Sequence, residues 1–127
     1  MRVLKFFKLT KGIQMAKKNI FEQIVLGEIP CKKVLENDHF LAFYDINPKA
    51  PTHILAIPKV CVKDFSSASP KLLGDLCAFA QEVVEVAGLK KDGYRIITNC
   101  GVNGGQEVPH LHLHILGGAK LSFPKLA

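Results

Sequence analysis

The chain has 127 residues, 48% of them hydrophobic, which is enough for one domain with a core of its own and leaves no room for a second. A net charge of +6 would suggest a nucleic-acid partner if it covered a surface, but Arg2, Lys5, Lys8 and Lys11 all stand in the first fourteen residues, which hold no acid. The remaining 13 basic residues face 11 acidic ones, so the body carries no electrostatic footprint for a duplex, and nucleic acid is excluded as a partner.

In the opening stretch, lysines interrupt Val3, Leu4, Phe6, Phe7 and Leu9, so the apolar run is too short for a secretory core or a membrane span. Residues 1–14 are therefore expected to be an extension outside a domain at 15–127, with no membrane partner. A natural start at Met15-Ala16-Lys17-Lys18 is favoured, and a cloning remnant or a basic amphipathic segment also fits. Asn19 with Glu22 three residues on resembles a capping box, and Ile20, Phe21, Ile24 and Val25 then recur at helical spacing as far as Gly27, predicting a short helix. Ile29-Pro30 ends it. Lys32 to Glu36 reads as a brief strand before the Asn37-Asp38 turn, and Phe40 to Ile46 as a stronger one closed by Asn47-Pro48, with Asp45 near its end.

Between Pro51 and Pro58, His53 to Ile57 has the length and content of a buried strand with a histidine at its start. Ser69-Pro70 is a helix start, and Leu72, Leu73, Leu76, Cys77, Phe79, Ala80, Val83, Val84 and Ala87 carry the main helix to Gly88. Tyr94 to Asn99 predicts a further strand, and Gly101 to Gln106 a glycine-rich loop. Cys31, Cys61, Cys77 and Cys100 form no C-x-x-C pair, so neither a zinc knuckle nor a redox motif is suggested, and free thiols fit a reducing, cytoplasmic setting.

The stretch Pro109 to Gly118 contains three of the five histidines, alternating with aliphatic residues. Alternation predicts a strand with His110, His112 and His114 on one face and Leu111, Leu113 and Ile115 on the other, whereas a helix would scatter both sets. Such imidazoles can be nucleophiles, proton carriers or metal ligands. With a rise of about 3.3 Å per residue, side chains at i and i+2 stand roughly 6.6 Å apart and those at i and i+4 roughly 13 Å, so one ion cannot be held by all three. Glu107 is the only carboxylate close by in the sequence, and no metal is expected. A nucleophile needs other neighbours: a group that fixes its tautomer and donors for developing negative charge. The loop Cys100-Gly101-Val102-Asn103-Gly104-Gly105-Gln106 can offer such donors, because glycines let backbone amides converge on a phosphate.

Gly104-Gly105-Gln106-Glu107-Val108-Pro109-His110-Leu111-His112-Leu113-His114-Ile115-Leu116-Gly117-Gly118 resembles the His-x-His-x-His signature of the histidine triad superfamily, and its Leu-Gly-Gly ending is similar to the nucleotide-binding, adenosine phosphoramidase branch. Asn19 to Ile24, Phe40 to Ile46, Ala50 to His53, Ile57 to Lys59 and Gly93 to Arg95 match that branch in order. The resemblance implies an α+β domain with a five-stranded antiparallel sheet and two helices, paired into a homodimer. It also implies a hydrolase that splits the P–N bond of adenosine 5'-phosphoramidates to AMP through a covalent nucleotidyl-histidine, with no cofactor. The implied ligands are purine nucleoside monophosphates and phosphoramidates.

By the same resemblance, His112 is the nucleophile, the carbonyl of His110 orients its ring, and His114 and His53 contact phosphate or pass protons. Asp45 would accept the ribose hydroxyls, and Ile20, Phe21, Ile24, Phe43, Tyr44, Ile46 and Leu55 would surround the nucleoside. Asn99 and the amides of Gly105, Gln106, Glu107 and Val108 would hold phosphate and leaving group. Glu107 stands where animal members carry a serine, and Phe123 is the aromatic residue of a tail that lacks Trp. A dinucleoside polyphosphate hydrolase and a nucleotide-binding scaffold with incidental catalysis are the rival readings.

Overall fold

A computed structural model describes residues 17–122; the extension expected at 1–14 and Phe123 lie outside the described residues. Five antiparallel strands form one sheet in the order β1-β2-β3-β5-β4, where β1 is Lys33–Glu36, β2 Phe40–Tyr44, β3 Thr52–Pro58, β4 Tyr94–Ile97 and β5 Leu113–Gly117. Among the described residues two helices complete the fold, α1 at Ile20–Val25 and α2 at Pro70–Val86. The expected α+β class, sheet and helix pair are all present.

Both helices begin where their caps dictate. The Asn19 side chain accepts from the Glu22 amide at 2.8 Å, and the Glu22 carboxylate accepts from the Asn19 amide at 2.9 Å, so two of the orphan donors of α1 are satisfied reciprocally. Ser69 caps α2 with Pro70 at its first position, and Gly88 takes the left-handed conformation just past the end at φ 72°.

The pleat sorts the strand residues onto two faces. One face carries Phe40, Ala42, Ile54, Ala56, Leu111, Leu113 and Ile115 against Leu76, Phe79, Ala80, Val83 and Val84 of α2. Burying each larger side chain there contributes about 1.5–3 kcal/mol, and this layer holds the domain together. The other face carries Leu41, Phe43, Leu55 and Ile57 under Phe21 of α1. Because α1 is short, it covers only part of that face.

Several expected boundaries shift: β2 ends at Tyr44 rather than Ile46, because the chain reverses at Asp45, and two further shifts fall at the histidines. The histidine stretch is not strand throughout, since β5 begins at Leu113 and includes only His114 of the three. Pro109 lacks an amide hydrogen, and the His110 amide turns back to the Val108 carbonyl at 2.8 Å, a tight turn that no ladder can include. Similarly, β4 ends at Ile97 rather than Asn99, because the Thr98 hydroxyl donates to the His112 carbonyl at 2.8 Å in place of a backbone pair. The facing of the side chains survives both changes: Leu111 stays in the α2 core, and the His112 ring lies beside Phe21 on the α1 face.

Candidate active site

On the α1 face lies an open cavity of about 820 Å³, within the ~300–1,000 Å³ usual for small-molecule sites. Apolar side chains of α1, β2 and β3 (Ile20, Phe21, Ile24, Phe43 and Leu55) form one wall, joined by Tyr44 and Ile46. Asp45, His53, His112 and His114 line the polar part, and Asn99, Gly105, Glu107 and Val108 come from the segments that flank the histidines in sequence.

The order of protons in this cavity follows from fixed partners. The His112 Nδ1 lies 2.7 Å from the His110 carbonyl oxygen, which can only accept, so Nδ1 carries the hydrogen and Nε2 is left as a bare lone pair. On the other side, the Lys49 amide donates to His53 Nδ1 at 3.0 Å, so the hydrogen of neutral His53 sits on Nε2. That N–H faces His114 Nδ1 at 2.9 Å, with an Asp45 carboxylate oxygen at 3.4 Å, and His114 is left with its own hydrogen on Nε2. The His112 and His114 rings are neighbours, with centroids 4.9 Å apart. A lone pair and an N–H donor are thus set side by side.

Burial keeps these rings neutral. Desolvation pushes the pKa of His53, His110 and His112 below the ordinary imidazole value. His114 is pushed down to about 4 by desolvation first and by the neighbouring His112 and His53 second. Charge on any one ring would repel the next, so the cluster presents neutral donors and a neutral lone pair to the cavity.

The side chains of His110 and Gln106 turn away from the cavity. The ring of His110 is fully buried and turned away from the cavity, its Nε2 donating to the Pro58 carbonyl at 2.8 Å; only its carbonyl serves the site. Gln106 spends its side chain inside the loop, donating to the carbonyls of Lys63 at 2.7 Å and Val108 at 3.0 Å and accepting from the Gly101 amide at 3.0 Å. The backbone amides of Gly105 and Gln106 also close turns of that loop, onto Val102 and Gly101. Of the four amides expected to face phosphate, only those of Glu107 and Val108 are without a partner among the described residues.

Part of the cavity lining, and the route by which Asp45 reaches it, were missed in the sequence. Arg95 and Ile97 line the cavity from β4, and their alternation with Tyr94 and Ile96 was the available signal. Asp45 approaches the histidines through a chain reversal in which its amide bonds the His53 carbonyl at 2.9 Å. One ligand atom each from Asp45, His53 and His114 then falls within 4.8 Å of the others, a grouping that could in principle hold a cation. The hydrogen bonds oppose that use: with Nδ1 occupied by the Lys49 amide, His53 presents an N–H to the group rather than a lone pair.

The family model for the HIT domain matches residues 26–121, and the chain belongs to the histidine triad family. It is 56% identical over 102 residues to a HIT-like protein of Helicobacter pylori, a match covering 80% of this chain and 98% of that one. It is 45% identical over 116 residues to the purine nucleoside phosphoramidase of Escherichia coli, covering 89% and 97% respectively. Among solved structures, a HIT family hydrolase from Legionella pneumophila superposes with a TM-score of 0.79 at 40% identity, over 84% of this chain and 98% of that one.

Proposed function

We propose that this protein is a hydrolase that splits the P–N bond of purine nucleoside 5'-phosphoramidates, giving the nucleoside monophosphate and a free amine. The observation that carries the reading is the bare Nε2 of His112, aimed into the cavity by the His110 carbonyl and set beside the N–H of His114. In the first step the His112 Nε2 lone pair forms a bond to phosphorus, the P–N bond breaks, and the amine leaves with a proton drawn from solvent. Glu107, in the cavity lining, is the carboxyl that can relay that proton. In the second step water adds to phosphorus, loses a proton and releases the nucleotide from His112. His114 and the amides of Glu107 and Val108 offer hydrogen bonds to the phosphoryl oxygens in both steps. Asp45 accepts from the ribose hydroxyls, and the apolar wall takes the base. The phosphoramidase relative in Escherichia coli supports the assignment of the reaction.

We further propose a homodimer formed through β4. This strand ends the sheet, and Tyr94 and Ile96, 43% and 44% exposed, stand on it although Ile96 pairs with the fully buried Ile115. An edge of this kind invites a second strand. The four free cysteines agree with a cytoplasmic setting, and no helix among the described residues is long and apolar enough to cross a membrane.

The test is turnover of an adenosine phosphoramidate in the presence of a chelator, with rapid quench and mass spectrometry. The expected result is AMP formation, with acid-labile nucleotide on the peptide spanning residues 110–114. Label on another residue, or turnover abolished by chelation, would overturn the reading.

A further inference from the structure

His110 is 0% exposed, so both of its ring nitrogens need partners within the protein. The Pro58 carbonyl at Nε2 can only accept, which leaves Nδ1 as the acceptor of a neutral ring. The atom that meets Nδ1 is the side-chain nitrogen of Asn19, at 3.1 Å and 91 residues away in sequence. The orientation of this amide is not open to choice, because its oxygen already accepts from the Glu22 amide as the cap of α1. Its second N–H points to the Cys61 sulfur at 3.4 Å. One side chain therefore starts the helix that walls the cavity and also fixes the tautomer of a buried histidine.

The effect extends to the nucleophile. The carbonyl of the residue so held accepts from His112 Nδ1 at 2.7 Å. The helix so capped carries Phe21, whose ring meets His112 edge-on at 5.0 Å and His110 at 5.8 Å. We propose that Asn19 is a positioning residue that holds His110 in its Nε2–H form and, through the His110 carbonyl and Phe21, aims Nε2 of His112 at the substrate phosphorus. This rests on the reading of His112 as nucleophile, and it assigns to a helix cap a part in the chemistry.

Asn19→Asp tests it on the full chain. The substitution keeps the cap oxygen and the shape but presents an acceptor to His110 Nδ1, so the ring faces two acceptors and must take a second proton or give up a bond. Long-range proton–nitrogen correlation spectra at pH 7 are expected to show His110 with one protonated nitrogen in the wild type and both protonated, or Nε2 released, in the variant. The His112 signals are expected to shift with them. With an adenosine phosphoramidate as substrate, kcat is expected to fall ~10- to 100-fold, measured below the melting temperature of the variant, while the AMP dissociation constant changes little. Asn19→Ser retains a cap oxygen without the N–H and supplies the same comparison if the Asp variant does not fold; its expected loss of kcat is similar. Unchanged His110 and His112 signals, or an unchanged kcat beside changed signals, would overturn the proposal. If the wild type shows no turnover, the proposed reaction fails instead, and the His110 and His112 signals alone decide whether Asn19 positions them.

Discussion

The two faces of the sheet use the same residue types to opposite ends. Toward α2, Leu76, Phe79, Val83, Ile54 and Ile115 are buried to within about two per cent, and the seventeen-residue helix leaves no gap over the central strands. Toward α1, a six-residue helix covers Leu41 and Ile57 but leaves Ile20 44% exposed and Ile46 87% exposed beside the histidines. Apolar character alone does not separate core from binding wall. The length of the covering helix does, because an aliphatic side chain becomes available to a ligand only where the opposing element stops short.

Substitutions can break or sharpen this contrast. The largest effect is expected from His112→Asn, which should lower turnover ~10⁴-fold or more because it removes the proposed nucleophile, while AMP still binds in a calorimetric titration. Phe79→Ala, on the opposite face, should leave kcat/KM intact below its melting point and cost about 3–5 kcal/mol in urea denaturation. If the Phe79 variant lost activity while keeping its stability, the division of labour between the faces would be wrong.

The fold and the α2 face were legible because the signals are local. Ser69-Pro70 before a helical period and the alternation of Leu111, Leu113 and Ile115 each depend on neighbours in the chain. The candidate site was legible in part: His53, His112, His114 and the expected apolar residues line one cavity, and their spacing along the chain is what the resemblance rests on. What was not legible depends on contacts distant in sequence. Nothing near Asn19 announces a bond to a ring 91 residues away, and Asp45 joins the expected site only through the resemblance, its own neighbours in sequence announcing no approach to His114. Gln106 differs for a local reason: its backbone amide, expected to face phosphate, donates to the Gly101 carbonyl at 3.1 Å, and that turn closure within the glycine loop is not written in its place beside the histidines.

Smaller effects test the polar side of the cavity. Asp45→Ala should weaken AMP binding by about 1.5–3 kcal/mol, the usual worth of a charge-assisted hydrogen bond, with little change in melting temperature. Calorimetric titration measures it, and an unchanged affinity would return Asp45 to its local role of accepting from the Asn47 amide at 2.8 Å. Acid should act next. His53, His110, His112 and His114 are all held below their unfolded values, so the unfolded chain takes up protons that the folded chain refuses. Stability should therefore be complete above about pH 6.5 and fall as pH drops toward each folded value, which for His114 is about 4. A loss on the order of 1–2 kcal/mol by pH 5.5 is expected from thermal melts, and kcat/KM should be flat between pH 7 and 8. A gain in stability on acidification would contradict the burial of neutral rings.

The bracing of the glycine loop has a consequence for the speed of binding. Gln106 ties Gly101, Lys63 and Val108 together, and Gly104 packs so closely on Cys100 that a Cβ there would collide with its backbone. The loop end of the cavity is thus ordered before any ligand arrives, and the ordering cost of about 0.5–1.5 kcal/mol per immobilised side chain falls on folding rather than on association. Encounter with a nucleotide should then proceed in a single kinetic phase whose rate rises linearly with ligand concentration, whereas Gln106→Ala should add a slower, saturable phase in stopped-flow traces as the loosened loop closes around phosphate.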